Sequence, residues 1–152
     1  MKHIVLLPLV LWSTACGAAR SDEDPRRADV VVESPDLTEP VLRAMAWWSE
    51  ATNSEVAFNL VDACETGHVC ERIRVGSLPA DEAGHTSYPV GHPEDCTTTI
   101  TPDLDPSLAD INVAHELGHV LGLGHTDGVM TSFIDHAKWK LPSEWREERW
   151  GS

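Results

Sequence analysis

The chain of 152 residues is 41% hydrophobic and 24% charged, which allows one domain with a core and excludes both a disordered polyelectrolyte and an apolar membrane bundle. Its 11 Lys and Arg against 25 Asp and Glu give a formal net charge of −14, a field that repels phosphate backbones and anionic lipid and speaks against nucleic-acid binding. No segment reaches the roughly 20 apolar residues that span a bilayer, and the four cysteines suit disulfides or metal according to compartment.

At the N-terminus, Lys2 precedes a short apolar run from Ile4 to Trp12, followed by Ser13-Thr14-Ala15-Cys16-Gly17. This is the layout of a secretory signal peptide over 1–15. Its end resembles a bacterial lipobox, in which Cys16 becomes the lipidated first residue of the mature chain, although Ser13 stands where such motifs prefer Leu. The expected location is the bacterial cell envelope, lipid-anchored through Cys16, or the medium if cleavage leaves a free chain. Residues 16–28 are small, charged and Pro-containing and read as a flexible tether. The folded domain is expected over 29–152.

Val30-Val31-Val32 reads as a buried strand ended by Ser34-Pro35. A helix follows, with Asp36 or Thr38 available to cap it and Pro40 in its first turn. Leu37, Val41, Met45 and Trp48 recur at helical spacing and face the core, with Trp47 beside them. Val56, Phe58 and Leu60 alternate as a half-buried strand. So does Val69 to Val75, with Ile73 and Val75 inward and Arg72 and Arg74 outward. Between them Glu65-Thr66-Gly67-His68 looks like a turn, which suggests a hairpin. Cys64 and Cys70 flank it and are the simplest disulfide pair, with bridging to Cys96 also open. Thr97 to Thr101 suits another strand.

Asp105-Pro106 supplies a cap and first residue for a helix in which Leu108, Ile111, Ala114, Leu117 and Leu121 recur. On it lies His115-Glu116-Leu117-Gly118-His119. Histidines four apart project from one helix face, where both imidazoles reach one ion, and Glu116 stands beside the first of them without coordinating it. Gly122 permits the turn that ends the helix and returns His125 as a third nitrogen ligand. Three protein ligands leave a position for water, the mark of a catalytic zinc site. The five-residue motif alone is a moderate signal; with Gly122 and His125 at fixed offsets it is a strong one.

His-Glu-x-x-His-x-x-Gly-x-x-His followed by a methionine resembles the metzincin clan of zinc endopeptidases. The resemblance implies one catalytic Zn2+ held by His115, His119 and His125, Glu116 as general base, and Met130 as the methionine of the turn beneath the metal. Ser132 stands where astacins and serralysins place a tyrosine ligand, which sets those subfamilies aside. The remainder is similar to a trimmed matrixin catalytic domain. Gly84, His85 and Thr86 would lie on the edge strand that pairs with an extended peptide substrate, and Ser143 to Trp150 would form a short closing helix. The implied fold is α/β in the α+β sense: a mixed, twisted sheet of about five strands, an active-site helix, a packing helix and the closing helix. It runs the strands around 56–60 and 70–75 parallel, on either side of the first strand, in place of a hairpin, with a Cys64–Cys70 bridge bracing the crossover. The cleft would lie between the sheet-bearing part and the portion after His125. Of the second, structural metal of matrixins only His85 has a matching position, so none is expected here.

The activity so implied is hydrolysis of peptide bonds by metal-activated water with Glu116 as general base. The expected partner is a peptide or protein bound extended, to a monomer that meets a membrane only through its lipid anchor. The alternative is a non-hydrolytic zinc-binding surface lipoprotein, against which the intact Glu116 argues.

Overall fold

The computed structural model describes residues 26–65, 68–89, 95–132, 134–143 and 145. The expected signal peptide and Cys16 lie outside the described residues, as does most of the expected closing helix, of which Ser143 and Trp145 are helical. The architecture is mixed α/β: a five-stranded sheet with two helices packed on it. The strands are β1 (Arg26–Val32), β2 (Val56–Leu60), β3 (Cys70–Val75), β4 (Gly84–Ser87) and β5 (Asp95–Ile100); the helices are α1 (Thr38–Ala51) and α2 (Ala109–Val120). Across the sheet the order is β2-β1-β3-β5-β4, parallel except for β4, which pairs antiparallel with β5 and forms one edge.

The hairpin suggested by residues 65–68 does not form. β2 and β3 both run parallel to β1, one on each side. A parallel connection usually needs a long crossover, yet only residues 61–69 are available. Stagger makes it possible: Leu60, the last residue of β2, aligns with Val30, and Cys70, the first of β3, aligns with Asp29. The chain therefore has to step across β1 without running back the length of a strand. A Cys64–Cys70 disulfide closes this crossover.

β1 begins at Arg26, three residues before the expected domain start, because residues 26–28 pair with Val56, Ala57 and Phe58 of β2. Ala28, which reads as tether by composition, is buried. The expected inward residues Leu60 and Val75 are exposed at 44% and 37%, each the last residue of its strand. The core joins Val30, Ile73 and Ile100 of the sheet to Val41, Ala44 and Trp48 of α1 and Val113, Ala114 and Leu117 of α2. Met45 and Trp47 flank it half-buried.

Neither Asp36 nor Thr38 caps α1 with its side chain. The chain enters through a 3-10 turn at Pro35–Leu37, and Thr38 is already helical. Asp105 does cap, accepting from the Ser107 backbone N–H at 2.8 Å at the 3-10 turn Pro106–Leu108 that leads into α2. The helices lock together where the Trp48 indole N–H donates to the Ala114 carbonyl at 2.9 Å. Gly122 stops α2, its φ of 89° lying in the left-handed region. The Leu123 N–H reaches back to the Gly118 carbonyl and the Gly122 N–H to that of His119, both at 3.0 Å.

Candidate metal centre

α2 buries eight consecutive residues, Ile111 to Gly118, which places His115 and Glu116 inside the protein at 6% and 3% exposure. His115 and His119, one turn apart, face the same way. Beyond the Gly122 turn the chain brings exposed His125 back beside them, with ring centroids 5.1 Å and 4.9 Å from those of His115 and His119. One ligand nitrogen from each ring lies within 4.8 Å of the others, a group that could hold a metal ion.

Backbone carbonyls orient two of the three rings. His115 donates from Nδ1 to the Val129 carbonyl at 2.8 Å, and His119 from Nδ1 to the Leu123 carbonyl at 2.9 Å. Each bond fixes the tautomer and leaves Nε2 with a lone pair, the form a metal requires. The two Nε2 atoms then face one another at 3.1 Å, lone pair to lone pair, an arrangement that a shared cation relieves. Burial pushes the His115 pKa down to about 4, with His119 and His125 adding to the fall and the Val129 carbonyl opposing it. Burial also lowers that of His119, against the Leu123 carbonyl. Both rings are neutral at pH 7 and need lose no proton to bind a metal.

Both carbonyls come from the segment after α2. Val129 belongs to the 3-10 turn Gly128–Met130, whose Gly128 has φ 63° and approaches the Lys140 carbonyl so closely that no Cβ would fit. Met130 is fully buried under α2, its sulfur against the space where Gly118 has no side chain. It thus lies beneath the helix turn between His115 and His119.

Glu116 points the other way, toward β4. Its Oε2 accepts from the Thr86 hydroxyl at 2.7 Å, and Oε1 packs where a Cβ on Gly84 would come within 2.5 Å. Asn112 ties the residue just before that strand to α2 by donating to the Ala83 carbonyl at 3.0 Å. Burial pushes the Glu116 pKa up to about 7, with the Thr86 hydroxyl holding it back and Glu82 adding to the rise. Gly84 and Thr86 therefore face the carboxylate, while His85, on the opposite parity, is exposed and paired with Glu82 at 3.3 Å. Sequence reasoning singled out these three residues as a substrate strand and missed that two of them hold Glu116. Nothing short of the β4–β5 register reveals it. The carbonyls of Val129 and Leu123 were missed too, since no side chain announces them.

No family model matches the chain, and no curated protein matches it either.

Proposed function

We propose that this chain is a zinc-dependent endopeptidase of metzincin type, matrixin-like in plan, exported to the bacterial cell envelope and tethered there by lipid on Cys16 or released. The observation that carries the reading is a buried carboxylate, Glu116, next in sequence to a histidine whose Nε2 is presented to a metal by a bond at Nδ1. A site that only bound metal would have no use for a carboxylate kept at the cost of burial.

His115, His119 and His125 would hold the ion. Three neutral imidazoles favour zinc among the common hydrolytic metals, and the 3.1 Å between two Nε2 atoms is near the roughly 3.3 Å expected for nitrogens on one tetrahedral centre. Bound there, zinc supplies Lewis acidity, which makes water nucleophilic at neutral pH and polarises a carbonyl. The remaining work belongs to the chain. Thr86 occupies Oε2 of Glu116 and fixes the carboxylate plane. Oε1, with no protein donor among the described residues, takes the proton of the attacking water and returns it to the leaving amine. A pKa raised by burial suits a group that must first accept and then give. Among the described residues β4 is an edge strand, so its outer side could pair with an extended peptide.

The test is cleavage of a mixed peptide library by the zinc-loaded full chain, read by mass spectrometry, beside Glu116→Gln and a chelated sample. We expect the variant to keep stoichiometric zinc and lose at least about a hundredfold in turnover, and the chelated sample to be inactive. Wild-type turnover in Glu116→Gln would end the general-base assignment. No cleavage by a chain that still binds zinc would favour the non-hydrolytic lipoprotein.

A further inference from the structure

Cys96 lies on β5 at the inward parity and is 0% exposed, in a small buried cluster with Ala28 of β1 and Val120 at the end of α2. Its sulfur is disulfide-bonded. Cys64 and Cys70 are bonded to each other, so neither is its partner. The sequence holds four cysteines, and the fourth is Cys16, ahead of β1. A bond to a second copy of the chain is disfavoured. Bonded cysteines bring their Cα atoms within about 7 Å, and a fully buried sulfur is closed to another folded molecule.

The register puts Cys96 within reach of the segment that precedes β1. Val30 of β1 stands opposite Glu71 of β3, which stands opposite Cys96. Cys96 is therefore two strand spacings from β1, roughly 10 Å. Arg26, where β1 begins, lies roughly 13 Å back along the strand from Val30. The ten residues from Cys16 to Arg26 extend to about 33 Å, about twice the distance to be covered.

We propose that Cys16 and Cys96 form a second disulfide, so that the exported chain carries no lipid on Cys16 and is released. The inference rests on the export proposed above and is independent of the metal site. The two fates of Cys16 exclude one another because both use its one sulfur. Lipidation makes a C–S thioether bond at Sγ, whereas the bridge makes an S–S bond at the same atom. In the bridging step the Cys16 thiolate attacks the disulfide of an envelope thiol oxidant, and one oxidant thiol leaves. The Cys96 thiolate then attacks the Cys16 sulfur of the mixed disulfide, which forms the bridge and frees the second oxidant thiol. The two cysteines lose two electrons and two protons, and the oxidant disulfide becomes a dithiol. Export supplies the oxidising side of the membrane, where such bonds persist. Ser13, in the position where a lipobox prefers Leu, agrees with this fate.

The experiment expresses the full chain, with its own leader, in a bacterial host whose envelope oxidises thiols. The purified protein is unfolded, alkylated without reduction, digested with trypsin and mapped by mass spectrometry. Cleavage after Arg20, Arg43, Arg72, Arg74 and Lys138 separates the cysteines. Cys16 falls on a peptide ending at Arg20, Cys64 and Cys70 together on 44–72, and Cys96 on 75–138. The expected map joins the peptide ending at Arg20 to 75–138 through a bond that reductant splits, with no fatty-acid label on the chain. Cys16→Ser should expose one alkylatable thiol, on 75–138, and keep the bridge within 44–72. A lipid on Cys16, cleavage of the leader beyond Cys16 or a free Cys96 thiol in the wild type would overturn the proposal. So would a bridge from Cys96 to Cys64, Cys70 or a second chain.

An uncleaved leader on a chain held in the cytoplasm would refute the export reading instead. That protein, refolded with reduced and oxidised glutathione, gives the same map. The Cys16–Cys96 bridge is still expected there, and any other pairing overturns it. Peptide cleavage enters neither result, so the peptidase reading stands or falls separately.

Discussion

At the scale of single residues, the site depends on what small side chains leave room for. Gly84 has no steric freedom to give: its missing Cβ is the space that Glu116 Oε1 and Cδ occupy. Gly84→Ala should push the carboxylate off the line it shares with Thr86 while leaving the metal ligands alone. Misplacement of a reacting group by about 1 Å costs on the order of a hundredfold in rate, so kcat of the proposed peptidase should fall by that order with metal content unchanged. Full activity in the alanine variant would mean that Glu116 has other productive positions. Glu71, fully buried on β3, makes the stability of the fold depend on pH. Its carboxyl titrates near 4.5 when exposed and near 8 in the fold. Below pH 4.5 it is protonated in both states and contributes no pH dependence. From there to pH 8 only the unfolded chain releases the proton, so this group's contribution to stability falls steadily as pH rises. Glu71→Gln removes that loss. The variant should melt within error of wild type near pH 4 and higher by roughly 5 °C or more at pH 8. Parallel melting curves across that range would show that Glu71 ionises normally.

At the scale of elements, α2 and the turn beneath it form one unit. Met130 fills the groove that Gly118 leaves, and the next residue back, Val129, presents the carbonyl that orients His115. In Gly118→Ala a gain in helix propensity of about 1 kcal/mol opposes a clash with the Met130 sulfur and a 3.3 Å approach to Trp48. Both neighbours are fully buried, so overpacking should win, with a net loss of about 1–2 kcal/mol in denaturant unfolding. Affinity for the proposed zinc ion should weaken alongside, because moving Met130 moves the Val129 carbonyl. Unchanged stability and affinity together would mean that the turn is not coupled to the helix. The histidine spacing, the Gly122 stop and the helical period of both helices are legible from residue types, since each follows from local geometry. Parallel placement of β2 and β3 is not, because local turn chemistry at 65–68 favours a hairpin and the β1 register overrides it. Glu71 shares the inward parity of Ile73, and sequence reasoning passed over it although that parity puts it inside. Backbone carbonyls that orient ligands leave no trace in side-chain identity at all.

At the scale of the whole molecule, the dominant long-range property is the net charge of −14. Zinc on three neutral histidines would add two positive charges, too few to reverse the field seen by an approaching peptide. Inside the site the balance differs, because the metal charge is close and the surface carboxylates are distant and screened over about 8–10 Å at ordinary ionic strength. Encounter and chemistry should therefore respond to salt differently. For the proposed peptidase, kcat/KM with a lysine-rich peptide should fall roughly three- to tenfold between about 20 mM and about 500 mM salt, as steering is screened. The same peptide core bearing glutamates should show the opposite slope, and a neutral version should show almost none. The kcat values should hardly move, since screening acts on approach and not on the buried carboxylate and hydroxyls around Glu116. A single set of stopped-time cleavage assays with the three peptides separates these cases. Equal salt slopes for all three would mean that binding at β4 is governed by backbone pairing and that the acidic surface serves solubility alone.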